Sequence, residues 1–154
     1  MNNNLIKETI AELIGTFVLV FIGGFAVVVA PLFGVVVPAL AHGLILVGLI
    51  YTYGHISGTQ INPAVTFGLL VGGKINPTKA GAFIIAQFVG GIIAAATIVL
   101  VMPDGAQIAL LGSTDAFNYG QTTGALTDNY VWTAAIIEAI LTFLLVSAVY
   151  QTAA

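Results

Sequence analysis

The chain has 154 residues, of which 59% are hydrophobic and 6% are charged. A soluble domain carries about 25% charged residues, so this composition and a mean hydropathy of +1.10 exclude a fold that covers itself in water. The net charge of −3 and the absence of arginine exclude nucleic-acid binding, which needs a basic surface. The absence of cysteine excludes a disulfide framework and thiolate metal sites. The composition predicts a membrane protein.

Long apolar segments predict four transmembrane helices, because each span needs roughly 20 apolar residues. No charged residue occurs between Leu13 and Gly73, and Pro31 and Pro38 divide that stretch. The predicted spans are residues 9–30, 35–54, 79–102 and 130–151. The fold class is therefore an all-α, multi-pass membrane protein.

The positions of the three lysines predict the orientation. Lys7 precedes the first span, Lys74 and Lys79 lie between the second and third, and the connection 103–129 has acidic residues but no basic one. Because basic residues concentrate on the cytoplasmic side, the N-terminus, the 54–79 connection and the C-terminus are predicted to be cytoplasmic. Residues 103–129 then form an extracytoplasmic loop of an integral protein of the cell (plasma) membrane.

The 54–79 connection is not an ordinary loop. Residues 54–61 are rich in turn formers, Asn62 stands at an N-cap position, and Pro63 stands at the first position of an apolar helix that ends near Gly72. At 1.5 Å per residue this helix is roughly 16 Å long, about half of a bilayer core. The pattern predicts a re-entrant half-helix preceded by extended backbone at residues 58–61. Such backbone is tolerated at that depth only where it is buried or lines a wet cavity. Its carbonyl acceptors, the amide donor of Asn62 and the positive end of the helix suit a neutral dipolar molecule such as water.

The stretch 57–66, Ser-Gly-Thr-Gln-Ile-Asn-Pro-Ala-Val-Thr, closely resembles the first signature of the aquaporin (major intrinsic protein) family. Residues 11–17, Ala-Glu-Leu-Ile-Gly-Thr-Phe, and 86–91, Ala-Gln-Phe-Val-Gly-Gly, support the resemblance, which covers the whole chain. It implies a six-helix, inverted-repeat fold with two facing half-helices. It also implies a homotetrameric water channel in the bilayer. The sequence has no nucleophile–base set and no metal-ligand spacing, so no enzyme activity, cofactor or metal is predicted.

An internal repeat agrees with this architecture. Glu12-x-x-x-Thr16 in the first span recurs as Glu138-x-x-x-Thr142 in the fourth, and inverted repeats are common in transport proteins. We therefore predict a single aquaporin-like domain over 1–154, with a first repeat at about 1–102, the loop at 103–129 and the start of a second repeat at 130–154. Four spans and one half-helix are fewer than the family has, which predicts a truncated domain.

The resemblance also assigns roles to residues. Glu12 and Glu138 would support the re-entrant loops, with His55 beside them, although Glu12 alternatively lies close enough to the interface to snorkel. The Asn62 amide would donate to a passing oxygen atom, and four residues before it would offer carbonyl groups. The predicted pore-lining residues of this segment are Gly58, Thr59, Gln60, Ile61, Asn62, Pro63 and Ala64.

His42 matches the position in the second span that forms part of the aromatic/arginine constriction, commonly Phe in water channels and Trp in glycerol channels. A histidine there resembles some vacuolar-type plant members and predicts a wider, more polar constriction. The alternative is a packed core histidine. Four functions stay open at this point: a water channel, a glycerol- or urea-type facilitator, a coupled transporter, and a non-conducting fragment.

Overall fold

The computed structural model describes residues 3–102 and 128–152, and within these ranges every regular element is helical. The all-α prediction is confirmed. Of the predicted extracytoplasmic loop, residues 103–127 lie outside the described residues. The helices are α1 (Asn3–Val28), α2 (Ala30–Phe33), α3 (Val36–Ser57), α4 (Pro63–Val71), α5 (Pro77–Val101) and α6 (Val131–Thr152), and a 3₁₀ turn at Asp128–Tyr130 precedes α6.

Four of these helices are long and apolar enough to cross a membrane: α1, α3, α5 and α6, each with a spanning segment of 22 to 25 residues. The prediction of four spans is confirmed. Large apolar side chains on the outer faces of these helices are exposed, for example Leu100 at 79% and Trp132 at 81%. By contrast, α4 has nine residues and is about 14 Å long, so it reaches about halfway through a bilayer core.

The predicted end of the second span at Gly54 is wrong, because α3 continues to Ser57. Gly58 then adopts a left-handed conformation with φ of 90°, and its N–H donates to the carbonyl of Gly54 at 3.0 Å. Glycine takes this conformation without steric cost, so it terminates helices. At the other boundary, α1 already includes Lys7, which the sequence had placed before the first span.

The first helix packs against both α3 and α5. Its closest approach to α5 is at Gly90, where an added Cβ atom would overlap the carbonyl oxygen of Leu13 and lie 3.2 Å from the backbone nitrogen of Phe17. Ala94, one turn further along α5, is fully buried. Small residues let two helix backbones meet in this way.

The half-helix α4 lies between α5 and α6. Its contact with α6 is a seam of two glycines and two larger side chains, because a Cβ atom added at Gly68 would overlap Val146, and one added at Gly72 would overlap the ring of Tyr150. The hydroxyl of Tyr150 also donates to the carbonyl of Gly72 at 3.2 Å. We call these four residues the α4–α6 seam.

The three lysines meet at one end of the bundle. Lys79 near the start of α5 forms a 2.9 Å ion pair with Glu8, one position after Lys7 in α1. Lys74 lies 5.1 Å from the ring centroid of Tyr150, near the C-terminal end of α6. The first turns of α1 and α5 and the last turn of α6 therefore share what we call the lysine end.

Candidate functional site

The sequence predicted extended backbone at residues 58–61, between α3 and α4, and this prediction is wrong. The φ angles of this segment are positive at Gly58 (90°), Thr59 (48°) and Ile61 (39°). A left-handed conformation costs an L-residue roughly 1–2 kcal/mol, so two non-glycine residues adopt it only where their surroundings hold the backbone in place. Contacts from α1 and from the end of α3 supply that restraint.

The restraint is the carboxylate of Glu12, which is fully buried. Its Oε1 accepts hydrogen bonds from the hydroxyl of Ser57 at 2.6 Å and the backbone N–H of Gln60 at 2.9 Å. Its Oε2 accepts from the backbone N–H of Ile61 at 2.6 Å and the side-chain amide of Gln87 at 2.8 Å. A carboxylate is an acceptor at both oxygens, so all four donors suit it. The alternative interpretation, a snorkelling Glu12, is wrong.

These hydrogen bonds fix the directions of the carbonyl groups. In the described residues every peptide bond is trans, so each C=O points opposite to the N–H of the next residue. The N–H groups of Gln60 and Ile61 point at Glu12, and that of Thr59 donates to Oγ of Ser57 at 3.1 Å. The carbonyl oxygens on the other side of these three peptide units therefore point away from Glu12 and Ser57. They belong to Gly58, Thr59 and Gln60.

Asn62 caps the half-helix, as predicted. Its Oδ1 accepts from the backbone N–H groups of Ala64 at 2.8 Å and Val65 at 3.4 Å, and Pro63 takes the first helical position. With Oδ1 held by the helix, Nδ2 projects from the other side of the amide. Asn62 is half-buried, and Nδ2 has no hydrogen-bond partner within residues 3–102 and 128–152. A donor is therefore available at the N-terminus of α4, next to the row of carbonyl oxygens.

A second set of buried polar groups supports this arrangement. The amide of Gln87 in α5 donates both to Glu12 and to Oγ1 of Thr66 in α4, the latter at 2.8 Å. Oγ1 of Thr66 in turn lies 3.2 Å from the carbonyl oxygen of Asn62. Gln87 and Thr66 are almost completely buried. Sequence reasoning gave no role to these residues or to Ser57, although a polar amide within an apolar helix is costly unless it is hydrogen-bonded.

His42 lies on α3, half-buried, with its ring directed at α1. Its Nδ1 is 2.9 Å from the carbonyl oxygen of Pro38, and the outer end of the ring, which includes Nε2, lies against Gly23. Because a carbonyl group only accepts, Nδ1 carries the proton in this contact. The assignment of His42 to a constriction stays a prediction.

The two other predicted supports, His55 and Glu138, form no hydrogen bond with residues 58–61 in the described part of the chain. Ser57 faces Glu12, and His55 lies about 200° away around the same helix, on an exposed face. Glu138 is exposed on α6, and no hydrogen bond joins it to residues 58–62. Neither side chain contributes to the network around Glu12 in the described part of the chain.

A cavity of about 440 Å³ connects the segment to the lysine end. Gly58 and Gln60 lie at its wall beside the side chains of the lysine end, so the non-helical backbone borders open space. Within the described ranges, no three His, Cys, Asp or Glu residues are grouped as a metal site would require. The lining residues are Ile50, Gly54, Ser57, Gly58, Gln60, Leu69, Lys74, Ile75, Lys79, Val149 and Thr152.

Comparison with known proteins decides the family. The sequence model described as Major intrinsic protein matches residues 1–154. The chain belongs to the major intrinsic protein family. This confirms the resemblance noted from residues 57–66, and with the four helices of spanning length it makes the chain an integral, multi-pass membrane protein.

Relatives within the major intrinsic protein family carry different names. The chain is 37% identical over 139 residues to glycerol uptake facilitator protein-like 6 of Lactiplantibacillus plantarum, covering 90% of the chain and 59% of that protein. It is 43% identical over 102 residues to aquaporin Z of Photorhabdus laumondii, covering 63% and 44%. It is 34% identical over 157 residues to a probable TIP-type aquaporin of Medicago truncatula, covering 96% and 57%. The chain spans about half the length of the curated relatives it matches.

Proposed function

We propose that the protein is a passive membrane channel for water and small neutral solutes. The observation that supports this most directly is the pairing of three outward carbonyl oxygens, from Gly58 to Gln60, with the free amide of Asn62. A water molecule both donates and accepts hydrogen bonds, so it exchanges partners in bulk water for partners along this row. The relatives named aquaporin Z and glycerol uptake facilitator protein-like 6 support the same activity.

Preorganisation is the role we propose for Glu12. Carbonyl groups that had to rotate to meet each solute would slow passage, whereas four hydrogen bonds to one carboxylate hold them in place before the solute arrives. The N-terminus of α4 adds a partial positive charge at the same depth, which disfavours cations. The solute forms no covalent bond with any of these groups, so permeation is proposed and catalysis is not.

For the solute, we propose that the channel passes water and also solutes of the size of urea or glycerol. The support is the histidine at position 42, where a larger aromatic ring would leave less room, together with the relative named as a glycerol uptake facilitator-like protein. A strict water channel is the competing candidate, supported by the relative named aquaporin Z.

Orientation and assembly are proposed from charge and from the family resemblance. The lysine end, with Lys74 and Lys79, is proposed to face the cytoplasm of the plasma membrane, and the channel is proposed to be a homotetramer. The chain has no cysteine, so Lys74→Cys provides a unique thiol. A membrane-impermeant maleimide should label it in inverted vesicles and not in intact cells, and labelling of intact cells would contradict the orientation. Native mass spectrometry of the purified protein tests the tetramer.

Glu138 is proposed to hold a second re-entrant segment as Glu12 holds the first. The supporting observation is the shared Glu-x-x-x-Thr spacing of Glu12 with Thr16 and of Glu138 with Thr142. An unpaired carboxylate in a membrane span is expensive, and the exposed Glu138 therefore needs donors from another segment.

Stopped-flow light scattering on proteoliposomes tests the activity. An osmotic gradient should cause faster shrinkage with the intact protein than in empty liposomes, and the activation energy should be close to that of free water diffusion. The same preparation challenged with glycerol or urea reports solute entry as re-swelling. Shrinkage no faster than in empty liposomes would contradict the proposed function.

A further inference from the structure

We propose that Gly23 is a specificity-determining residue of this channel, and that it acts by making room for the ring of His42. Because residue 23 has no side chain, the ring lies against α1 and leaves the passage beside it open. The inference rests on the proposed function, since it takes His42 as a wall of the passage. In addition to His42 on α3, it assigns Gly23 on α1 a role in the width of the passage.

The contact between the two residues is end-on. Gly23 is buried in α1, and a Cβ atom added to it would overlap Nε2 of His42 and lie 2.5 Å from Cε1 and 2.7 Å from Cδ2. These three atoms form the outer end of the imidazole. The ring therefore occupies the volume that any side chain at position 23 would take.

The other ring nitrogen, Nδ1, is fixed as well. The 2.9 Å contact between Nδ1 and the carbonyl oxygen of Pro38 requires the proton on Nδ1. In the neutral ring Nε2 then carries the lone pair, and it points at Gly23. Both nitrogens face protein, so neither is free to form a hydrogen bond with a passing solute. The proposal thus replaces the more polar constriction expected from sequence with one that discriminates by width.

A side chain at position 23 has a definite consequence. A methyl group there cannot share the volume with the imidazole, so the ring must rotate and give up its hydrogen bond to Pro38. His42 is half-buried, and its open side is the direction left for the ring. That movement narrows the passage, and larger solutes lose more of their flux than water does.

The chain offers a matched control at Gly43, the residue next to His42 on α3. A Cβ atom added to Gly43 meets no heavy atom within 4 Å. Gly43→Ala therefore makes the same chemical change one position from the ring without touching it. Any general effect of a Gly-to-Ala exchange in a spanning helix appears in this variant too.

The experiment measures the permeability of proteoliposomes to water, urea and glycerol for the intact protein, Gly23→Ala, Gly43→Ala, His42→Ala and the double variant Gly23→Ala/His42→Ala. The readout is the permeability of Gly23→Ala to the largest solute that the unmodified protein passes, and it is compared with the permeability of Gly43→Ala to the same solute. Gly23→Ala should lower it by roughly three- to tenfold, because the displaced ring narrows the passage and raises the barrier to this solute by about 0.7 to 1.4 kcal/mol. The double variant should match His42→Ala, because without the ring the methyl group has nothing to displace.

Three results would overturn the proposal. One is a folded Gly23→Ala protein with unchanged permeability; another is a double variant as impaired as Gly23→Ala alone. If Gly23→Ala does not fold, the double variant gives the answer. A folded double variant supports the steric clash between a methyl group at position 23 and the ring of His42. A double variant that also misfolds contradicts that clash. An unmodified protein no more permeable than empty liposomes is a separate result, which removes the proposed function together with this inference.

Discussion

Glu12 and Ile61 are joined by a 2.6 Å hydrogen bond from the backbone N–H to Oε2, across 49 positions of sequence. Ile61 has φ of 39°, a conformation that costs an L-residue free energy. The bond to α1 is one of the interactions that offset this cost. The backbone conformation of the candidate site therefore depends on a side chain far from it in sequence.

The first prediction concerns this carboxylate. Glu12→Gln replaces one acceptor oxygen with an NH₂ group that faces the donors of Ser57 and Gln60, or of Ile61 and Gln87. Two buried donors lose their acceptor, and we expect a destabilisation of about 2 to 4 kcal/mol together with loss of water permeability. Thermal unfolding in detergent and stopped-flow measurements check the two effects.

The control for this substitution is Glu8→Gln, one turn earlier on α1. Glu8 pairs with Lys79 at 2.9 Å at the partly exposed lysine end, where an ion pair contributes about 0–1 kcal/mol. Glu8→Gln should leave both stability and permeability close to those of the unmodified protein. Equal effects of the two substitutions would show that Glu12 has no special role.

The second prediction separates the two halves of the Asn62 amide. Aspartate caps a helix as well as asparagine does, so Asn62→Asp should keep the start of α4. It removes the free Nδ2 donor and adds a charge, and we expect water permeability to fall roughly tenfold or more. Asn76→Asp is the matched control, because Asn76 caps α5 in the same way, also before a proline. A permeable Asn62→Asp protein would show that the donor is dispensable.

Local signals in the sequence predicted the half-helix well. The asparagine before Pro63 determines where α4 starts. The short length and apolar composition of this helix can be recognised from the sequence alone. The end of α3 was predicted three residues too early because Gly54 and His55 resemble turn residues, yet both fit within a helix that ends at Gly58. Local composition cannot show which of several glycines ends a helix.

Contacts between segments that are distant in sequence could not be predicted in the same way. The left-handed conformation of Thr59 and Ile61 depends on Glu12, so no pattern within residues 58–61 predicts it. The placement of His55 could have been predicted from helical geometry once Ser57 was paired with Glu12. That pairing itself required the structure.

The third prediction concerns selectivity. His42→Phe places a larger ring in the space beside Gly23 and removes the hydrogen bond to the carbonyl of Pro38. If His42 lines the passage, glycerol and urea permeability should fall more than water permeability, by about threefold or more in their ratio. Proteoliposome fluxes of all three solutes give that ratio. A well-folded variant with lower stability and an unchanged ratio would identify His42 as a core residue instead.

The last prediction concerns the α4–α6 seam. In the described part of the chain α6 packs against α4 and the 3₁₀ turn before it, so the seam is what places α6 beside the rest of the bundle. A methyl group at Gly68 would overlap Val146, and overpacking of this kind costs about 1–3 kcal/mol. Gly68→Ala should therefore lower the unfolding temperature, whereas Gly48→Ala, with open space around its added Cβ atom, should not.

Removing the side chain on the other side of the seam completes this test. Val146→Ala creates room for the methyl group, so the double variant Gly68→Ala/Val146→Ala should be more stable than the sum of the two single effects predicts. Residues in direct contact couple by about 0.5–3 kcal/mol in such a cycle, while independent residues add within about 0.5 kcal/mol. Additive effects would mean that Gly68 and Val146 do not touch in the folded protein, and the position of α6 on α4 would then be wrong.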